Sequence, residues 1–153
     1  MSLEEDIKQE KFSSEYQKLN INIAFTHSYL TNLLNKILKP YDLSMQQYNV
    51  LRILRGQHPN PVSINTITDR MIDKMSNASR LVEKLRKKSM INRETCSADK
   101  RQVDVCLATP GLETLKRIDI LMVDYEKLFD HLDVSEVKLA NKVLDQIRKT
   151  IKN

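Results

Sequence analysis

The stretch that most constrains the fold runs from Asp73 to Ala108, where a helical pattern is followed at once by two short segments of strand composition. Apolar residues recur there at three- and four-residue spacing, which predicts an amphipathic helix from about Asp73 to Ser89. β-branched residues then alternate with polar ones over 91–96 and 102–108, as in a half-buried hairpin. Two glycines in 153 residues argue against an all-β fold. The chain is predicted to be mainly α with a small β-hairpin.

The surplus positive charge of the chain is concentrated in the same stretch. The net charge is +5, from 25 Lys and Arg against 20 Asp and Glu. Residues 73–101 hold nine of the basic residues and four of the acidic ones, so the rest of the chain is balanced at 16 against 16. Such clustering favours an anionic partner, and nucleic acid is the leading candidate.

Long amphipathic helices are predicted on both sides of this stretch. An apolar stripe with alternating three- and four-residue spacing covers residues 16–37, and Pro40 ends that helix. Further helices begin at Thr109-Pro110 and at Ser135-Glu136. Either a second chain or a helical pair within the chain can bury these stripes.

Two shorter helices precede the basic one. Ser44 and Gln47 form a capping-box pattern at the start of a helix that ends near Gly56. Ser63 can cap the next helix. The residues predicted to face inward on these two helices are Tyr48, Leu51, Leu54, Ile64, Ile67 and Met71.

The basic helix is predicted to have an apolar back and a basic front. The back consists of Met75, Ala78, Leu81, Val82 and Leu85. At about 100° per residue, Ser76, Arg80 and Lys87 point the opposite way, with Asn77 and Lys84 on the flank. The chain thus has two short helices joined by a tight connection, and the second helix has an apolar back and a basic front. This is the pattern of a helix-turn-helix.

A helix-turn-helix followed directly by a β-hairpin is a winged helix, and with long helices on both sides the chain resembles the MarR family (multiple antibiotic resistance regulators). The resemblance covers roughly residues 12–150. It rests on LSMQQYNVLRIL (43–54), SRLVEKLRKKSMINR (79–93), DKR (99–101) and VCLATPG (105–111), in that order. Ser89 stands where the family usually ends this helix with glycine, which predicts a non-glycine left-handed residue or a different cap.

The resemblance implies a homodimer with two kinds of region. Residues 12–40 and 110–152 are the expected helical dimerisation region, and 41–109 the winged helix-turn-helix domain that binds double-stranded DNA. The implied function is a transcriptional regulator, a repressor that binds a pseudo-palindromic operator and is relieved by a small aromatic or phenolic effector. Tyr29, Tyr48 and His27 are candidates for an effector crevice, with core packing as the alternative for each.

The predicted DNA-binding residues of the basic helix divide by the group that they contact. Ser76, Asn77 and Arg80 are predicted to reach base edges, because Arg can bind guanine with two hydrogen bonds and Asn and Ser can pair with bases or phosphate. Lys74, Lys84 and Lys87 are predicted to contact phosphates. The alternative is a merely solvated helix face.

The resemblance also assigns roles to the hairpin tip. Arg101 is expected to enter or skirt the minor groove, where the negative potential of A·T-rich DNA favours a guanidinium group. Asp99 would hold Arg101 by an ion pair, and Lys100 would touch the backbone. Arg93 is predicted to brace the base of the wing. The alternative for Lys100 is a turn kept soluble by charge.

Two other functions remain as alternatives. Cys96 and Cys106 raise the hypothesis of a thiol-based redox-sensing regulator. If Cys96 pairs near Gln102 across the hairpin, Cys106 lies opposite about Asn92, too far away for a disulfide within one wing. Ordinary small side chains are therefore favoured for both. The second alternative is a protein-binding winged helix without DNA affinity.

Enzymes, metal proteins and membrane proteins are disfavoured. His27, His58 and His131 have no metal-ligand spacing, and no glycine-rich phosphate loop or nucleophile–base grouping occurs. No apolar run approaches the ~20 residues of a membrane helix, and no signal peptide is apparent. We expect a cytoplasmic protein with free thiols and without cofactor.

Overall fold

The fold is mainly helical with one small antiparallel sheet, as predicted. The computed structural model describes residues 2–95 and 103–152. The helices are α1 (Leu3–Ile7), α2 (Glu15–Leu38), α3 (Met45–Arg55), α4 (Ile64–Arg70), α5 (Ala78–Lys87), α6 (Thr109–Glu126) and α7 (Val134–Lys152), and the strands are β1 (Val62–Ser63), β2 (Ile91–Thr95) and β3 (Val103–Leu107). The chain divides into two compact units, Met1–Leu115 and Lys116–Asn153.

Side-chain caps start α3 and α4 where the sequence predicts. The Ser44 hydroxyl accepts the Gln47 N–H (3.2 Å), and the Gln47 side-chain oxygen accepts the Ser44 N–H (3.0 Å), which completes the capping box of α3. The Ser63 hydroxyl accepts the Thr66 N–H (3.1 Å) at the start of α4. Helix α2 ends at Leu38, and Pro40 lies in the 3₁₀ turn that follows it.

The core of the first unit consists of aliphatic side chains. Those exposed by no more than 1% are Leu38, Val50, Leu51, Leu54, Ile67, Met71, Val82, Leu85, Ile91, Val105 and Leu115. Four of the predicted inner residues of α3 and α4 are among them, whereas Tyr48 and Ile64 are half-buried. Burial of these side chains fixes α3, α4 and α5 against the sheet, since apolar burial is the dominant favourable term in folding.

The sheet has three strands in the order β1-β3-β2, one more than predicted. Strand β1 pairs with β3 through Val62 and Val105. A two-residue strand is too short to show an alternation that the sequence could reveal. The register of β2 and β3 places Asn92 opposite Cys106, as predicted.

Helix α5 ends at a left-handed residue, which is one of the two outcomes predicted for Ser89. The φ angle of Ser89 is 57°. The Met90 N–H donates to the Leu85 carbonyl (3.1 Å) and the Ser89 N–H to the Arg86 carbonyl (2.9 Å). These two bonds form a Schellman motif, so serine takes the place that glycine usually fills.

Close packing explains why the VCLATPG block ends in a glycine, Gly111. A Cβ atom at this position would lie 2.2 Å from the Met90 carbonyl oxygen and 3.0 Å from Leu107 Cδ1. The same carbonyl accepts the Ala108 N–H (3.0 Å). The start of α6 therefore packs directly on the turn that ends α5, and only glycine fits there.

Helices α6 and α7 begin within one residue of the predicted positions. Helix α6 has Pro110 in its first turn, and Asp133 accepts the Ser135 N–H (2.8 Å) at the start of α7. Phe129 lies in the 3₁₀ turn that follows α6. Many large apolar side chains of the second unit are exposed: Ile120, Leu121, Val123, Leu128, Phe129, Leu132, Val134, Val137, Leu139 and Ile151.

Candidate nucleic-acid interface

The residues before α5 form a turn, so the predicted helix start at Asp73 is wrong. The Asp73 carboxylate accepts the Met75 N–H (3.0 Å) and the Ser76 hydroxyl (2.7 Å). Such side-chain bonds compete with those of a helix. The Ser76 hydrogen bond is the main cause that lowers the pKa of Asp73. Lys74 and Ser76 therefore precede the helix instead of lying on its front.

Asn77 is the N-cap of α5 and not a residue on its flank. The Asn77 side-chain oxygen accepts the Arg80 N–H at 2.9 Å, which satisfies one of the free amides of the first turn. The residue is exposed. Only its side-chain NH₂ group is left for a base or phosphate, so the predicted base contact stays a prediction for that group.

The predicted apolar back of α5 is correct except for its first member. Ala78, Val82 and Leu85 are buried and Leu81 is half-buried. Met75 is 94% exposed. The reason is the turn at Asp73, because Met75 lies before the helix and the 100° spacing does not apply to it.

Three cations form one exposed face of α5, which we call the open row: Arg80, Lys84 and Lys87. The spacing i, i+4, i+7 places them one above the other on the same side of the helix. All three are exposed. Within residues 2–95 and 103–152, none of their side chains makes a salt bridge or hydrogen bond. The open row therefore presents to solvent positive charge that no ion pair within the described residues neutralises, although Lys87 also interacts electrostatically with Glu83.

The neighbouring cations are bound within the chain. Glu83 accepts two hydrogen bonds from Arg86 (2.8 and 3.0 Å) and one from Arg93 (3.3 Å). The Arg86 hydrogen bond is the main cause that lowers the pKa of Glu83 to about 2. Lys88 forms an ion pair with Asp42 (2.8 Å). Because Glu83 connects β2 to α5 through Arg93, the predicted bracing role of Arg93 is supported.

Lysines also line an open cleft of about 670 Å³ beside the C-terminal end of α5. Its lining includes Lys39, Lys84, Lys87 and Lys88, with Asp42 as its acidic member. The N-terminus of α3 borders the same cleft, and free N–H groups at a helix start favour anions. The cleft extends the positive surface of the open row.

The predicted wing-tip residues Asp99, Lys100 and Arg101 lie outside the described residues, as does Cys96. The strands that lead to the tip are paired up to Thr95 and Val103. The base of a wing is thus present next to α5, and the roles of its tip stay predictions. Cys106 is half-buried and forms no disulfide with another described residue.

The candidate effector residues lie on two helices. His27 and Tyr29 are exposed on α2, and Tyr48 is half-buried on α3, where its hydroxyl accepts a hydrogen bond from Arg52 (3.1 Å). Their roles stay predictions. In the described part of the chain, no group of three His, Cys, Asp or Glu residues is placed to hold a metal ion. No described helix has the length and hydropathy to cross a membrane.

Two structural residues of this surface were missed by the sequence patterns. Glu83 accepts hydrogen bonds from Arg86 and Arg93. Its three-residue spacing from Arg86 is a local pattern that predicts the first of these contacts. Asn49 on α3 accepts the Ile72 N–H (2.9 Å) across 23 residues of sequence. No short-range pattern predicts a contact of that kind.

These features define the class of the protein as a winged helix-turn-helix: α4 and α5 are joined by the connection 71–77, longer than predicted, and are followed by the paired base of a β-hairpin. Residues 43–103 match the model of the MarR family. The match identifies residues 43–103 as a MarR-family domain, and members of the MarR family are transcription regulators. The resemblance deduced from the sequence is confirmed.

Individual relatives agree with this assignment. The chain is 23% identical over 126 residues to the HTH-type transcriptional repressor IacR of Pseudomonas putida, covering 82% of this chain and 74% of the relative. A MarR transcription factor from Planctomyces limnophilus is 26% identical, with a TM-score of 0.66 over 89% of this chain and 99% of that one. A mutant MarR from E. coli complexed with operator DNA has the same fold, at 22% identity and a TM-score of 0.74 over 90% and 99%.

Proposed function

We propose that this MarR-family transcriptional regulator is a homodimeric repressor that binds a pseudo-palindromic DNA operator. The observation that carries the proposal is the open row, three exposed cations on one face of α5 that form no ion pair among the described residues. Each Lys or Arg that neutralises a phosphate releases counterions and so contributes to affinity. Arg80, nearest the N-terminal cap, is assigned a base contact, and Lys84 and Lys87 phosphate contacts.

The homodimer is supported by apolar surface on the terminal helices. On α2, the side chains of Tyr16, Leu19 and Ile23 are exposed by 86%, 38% and 36%. In the second unit, the exposed apolar residues named above add further apolar surface. Apolar patches of this kind mark association surfaces. A dimer would also present two copies of α5 to half-sites about 10 bp apart.

The DNA-binding proposal is tested by selecting sequences from a random duplex pool and measuring their affinity by fluorescence anisotropy at several salt concentrations. We expect a pseudo-palindromic consensus and affinity that falls steeply with salt, because phosphate contacts release counterions. Sedimentation equilibrium should give a dimer. An absence of sequence preference together with salt-independent binding would instead support a protein-binding winged helix.

Relief by an effector is the second half of the proposal. A ligand that binds the DNA-incompetent arrangement better shifts the population towards it. Small phenols and aromatic carboxylates should raise the melting temperature of the protein and release bound operator in the same concentration range. If no compound does both, the regulator acts without an effector of this class.

A further inference from the structure

Two large apolar side chains project into solvent in the segment that precedes α5. Ile72 is 86% exposed and Met75 is 94% exposed. Met75 is the most exposed of the large apolar residues in the described part of the chain. Both belong to the turn between α4 and α5, directly before the N-cap at Asn77.

Hydrogen bonds hold this turn in place, so the exposure is built into the fold. The Ile72 N–H donates to Asn49 of α3 (2.9 Å). The Met75 N–H donates to the Asp73 carboxylate (3.0 Å), and the Ser76 N–H to the Asp73 carbonyl (3.3 Å). Met75 is thereby the third residue of a hydrogen-bonded turn and cannot fold back under α5.

The surroundings of the two side chains indicate the partner. Lys74, Asn77 and Arg80 lie within five residues of Met75 and are exposed. Cations and an amide around an apolar side chain suit a nucleic acid, in which the thymine 5-methyl group is an apolar feature of the major groove next to acceptor atoms and phosphates. A purely apolar protein surface would not be matched by this mixture.

We propose that Met75, with Ile72 beside it, is a specificity-determining residue that contacts a thymine methyl group in the operator. The inference rests on the proposed function, because it requires the N-terminal end of α5 to enter the major groove. It adds a preference for thymine at a base pair close to the one that Arg80 reads.

The test replaces each thymine of the selected operator, one at a time, with deoxyuridine, which lacks only the methyl group. At one or two positions per half-site, the affinity of the wild-type protein should fall about three- to fourfold, the effect of losing one buried methyl-sized group. Met75→Ala should lower affinity for the thymine operator by a similar factor and be insensitive to the same replacement. Met75→Leu, which keeps an apolar side chain, should retain most of the sensitivity.

The outcomes separate this inference from the function on which it rests. Sequence-specific binding that responds to no deoxyuridine, or to the same ones in wild type and Met75→Ala, would overturn the inference and leave the function intact. A protein that selects no DNA sequence would overturn both. Loss of the dimer in Met75→Ala, seen by sedimentation, would assign the residue to contact with a second copy and overturn the inference.

Discussion

The cations of α5 and its surroundings fall into two groups that differ in how the chain treats them. Arg86, Arg93 and Lys88 each have a carboxylate within 3.3 Å, supplied by Glu83 or Asp42. The open row of Arg80, Lys84 and Lys87 has no such partner among the described residues. Both groups are close in sequence and share the same residue types.

The difference shows that the positions of the carboxylates, and not the number of cations, decide which cations serve the fold and which are available to bind a partner. Arg86 and Arg93 share the carboxylate of Glu83, which holds both guanidinium groups in place and joins β2 to α5. An unpaired cation in water contributes almost nothing to stability, but it can release counterions from DNA. Composition alone does not distinguish these six cations.

The largest effect that distinguishes the groups is expected from single arginine changes. Arg80→Ala should weaken operator binding by about tenfold to one hundredfold, the range for a lost bidentate base contact. Arg86→Ala, the matched control on the same helix, should stay within about threefold, since its guanidinium is engaged by Glu83. Both affinities are measured by anisotropy at one salt concentration.

The dimer should be unchanged in both variants, as judged by sedimentation. Equal losses of affinity in Arg80→Ala and Arg86→Ala would remove the distinction between the two groups.

A second change tests the packing at the C-terminal end of α5, near both groups of cations. Gly111→Ala would place a Cβ atom 2.2 Å from the Met90 carbonyl at the end of α5. Overpacking of this kind costs about 1–3 kcal/mol in the free energy of unfolding. The measurement is urea denaturation. Gly56→Ala is the control, because the nearest atom to its Cβ would be 3.5 Å away and its φ of −66° suits alanine.

If Gly111→Ala were as stable as the wild type, α6 would not pack on the turn after α5 as described. Gly56→Ala should leave stability equal or slightly higher.

A third pair of variants separates capping from DNA contact at Asn77. Asn77→Ala should lower the free energy of unfolding by about 1 kcal/mol through loss of the N-cap. Asn77→Asp should keep the cap, since Asp and Asn cap equally well, and yet weaken operator binding by charge repulsion from phosphates. Thermal denaturation and anisotropy on both variants provide the two readouts. Wild-type affinity in Asn77→Asp would place this side chain outside the interface.

The smallest effect is expected from removing the carboxylate of Glu83, which binds Arg86 and Arg93. Hydrogen bonds from Arg86 lower the pKa of Glu83 from 4.5 to about 2. A lowered carboxylate pKa stabilises the folded state fully above pH 4.5, and this contribution is lost as the pH falls towards 2. The melting temperature of the wild type should therefore exceed that of Glu83→Gln slightly at neutral pH, with the gap closing on acidification. A gap that widened in acid would contradict this role of Glu83.

The parts of the fold that the sequence predicted depend on local chemistry. The capping box at Ser44, the end of α2 before Pro40 and the left-handed Ser89 each follow from a few neighbouring residues. The register that pairs Asn92 with Cys106 follows from the predicted position and short length of the hairpin turn. Such features are predictable because the interactions that decide them are close in sequence.

The features that escaped prediction depend on competition or on distant contacts. Helix α5 starts later than predicted because the Asp73 carboxylate accepts hydrogen bonds within the preceding turn. The apolar spacing from Met75 to Leu85 does not reveal those bonds. Strand β1 forms only because β3 lies beside it. The pairing of Lys88 with Asp42 spans 46 residues, so the division between open and paired cations required the structure.

The most direct test of that division is the salt dependence of operator binding in two variants that remove equal charge. Lys84→Gln/Lys87→Gln removes two cations of the open row, and Arg86→Gln/Lys88→Gln removes two paired ones. Each lost phosphate contact lowers the slope of log affinity against log salt by about one. We predict a slope lowered by about two in the first variant and unchanged in the second. Equal slopes in both variants would contradict the account.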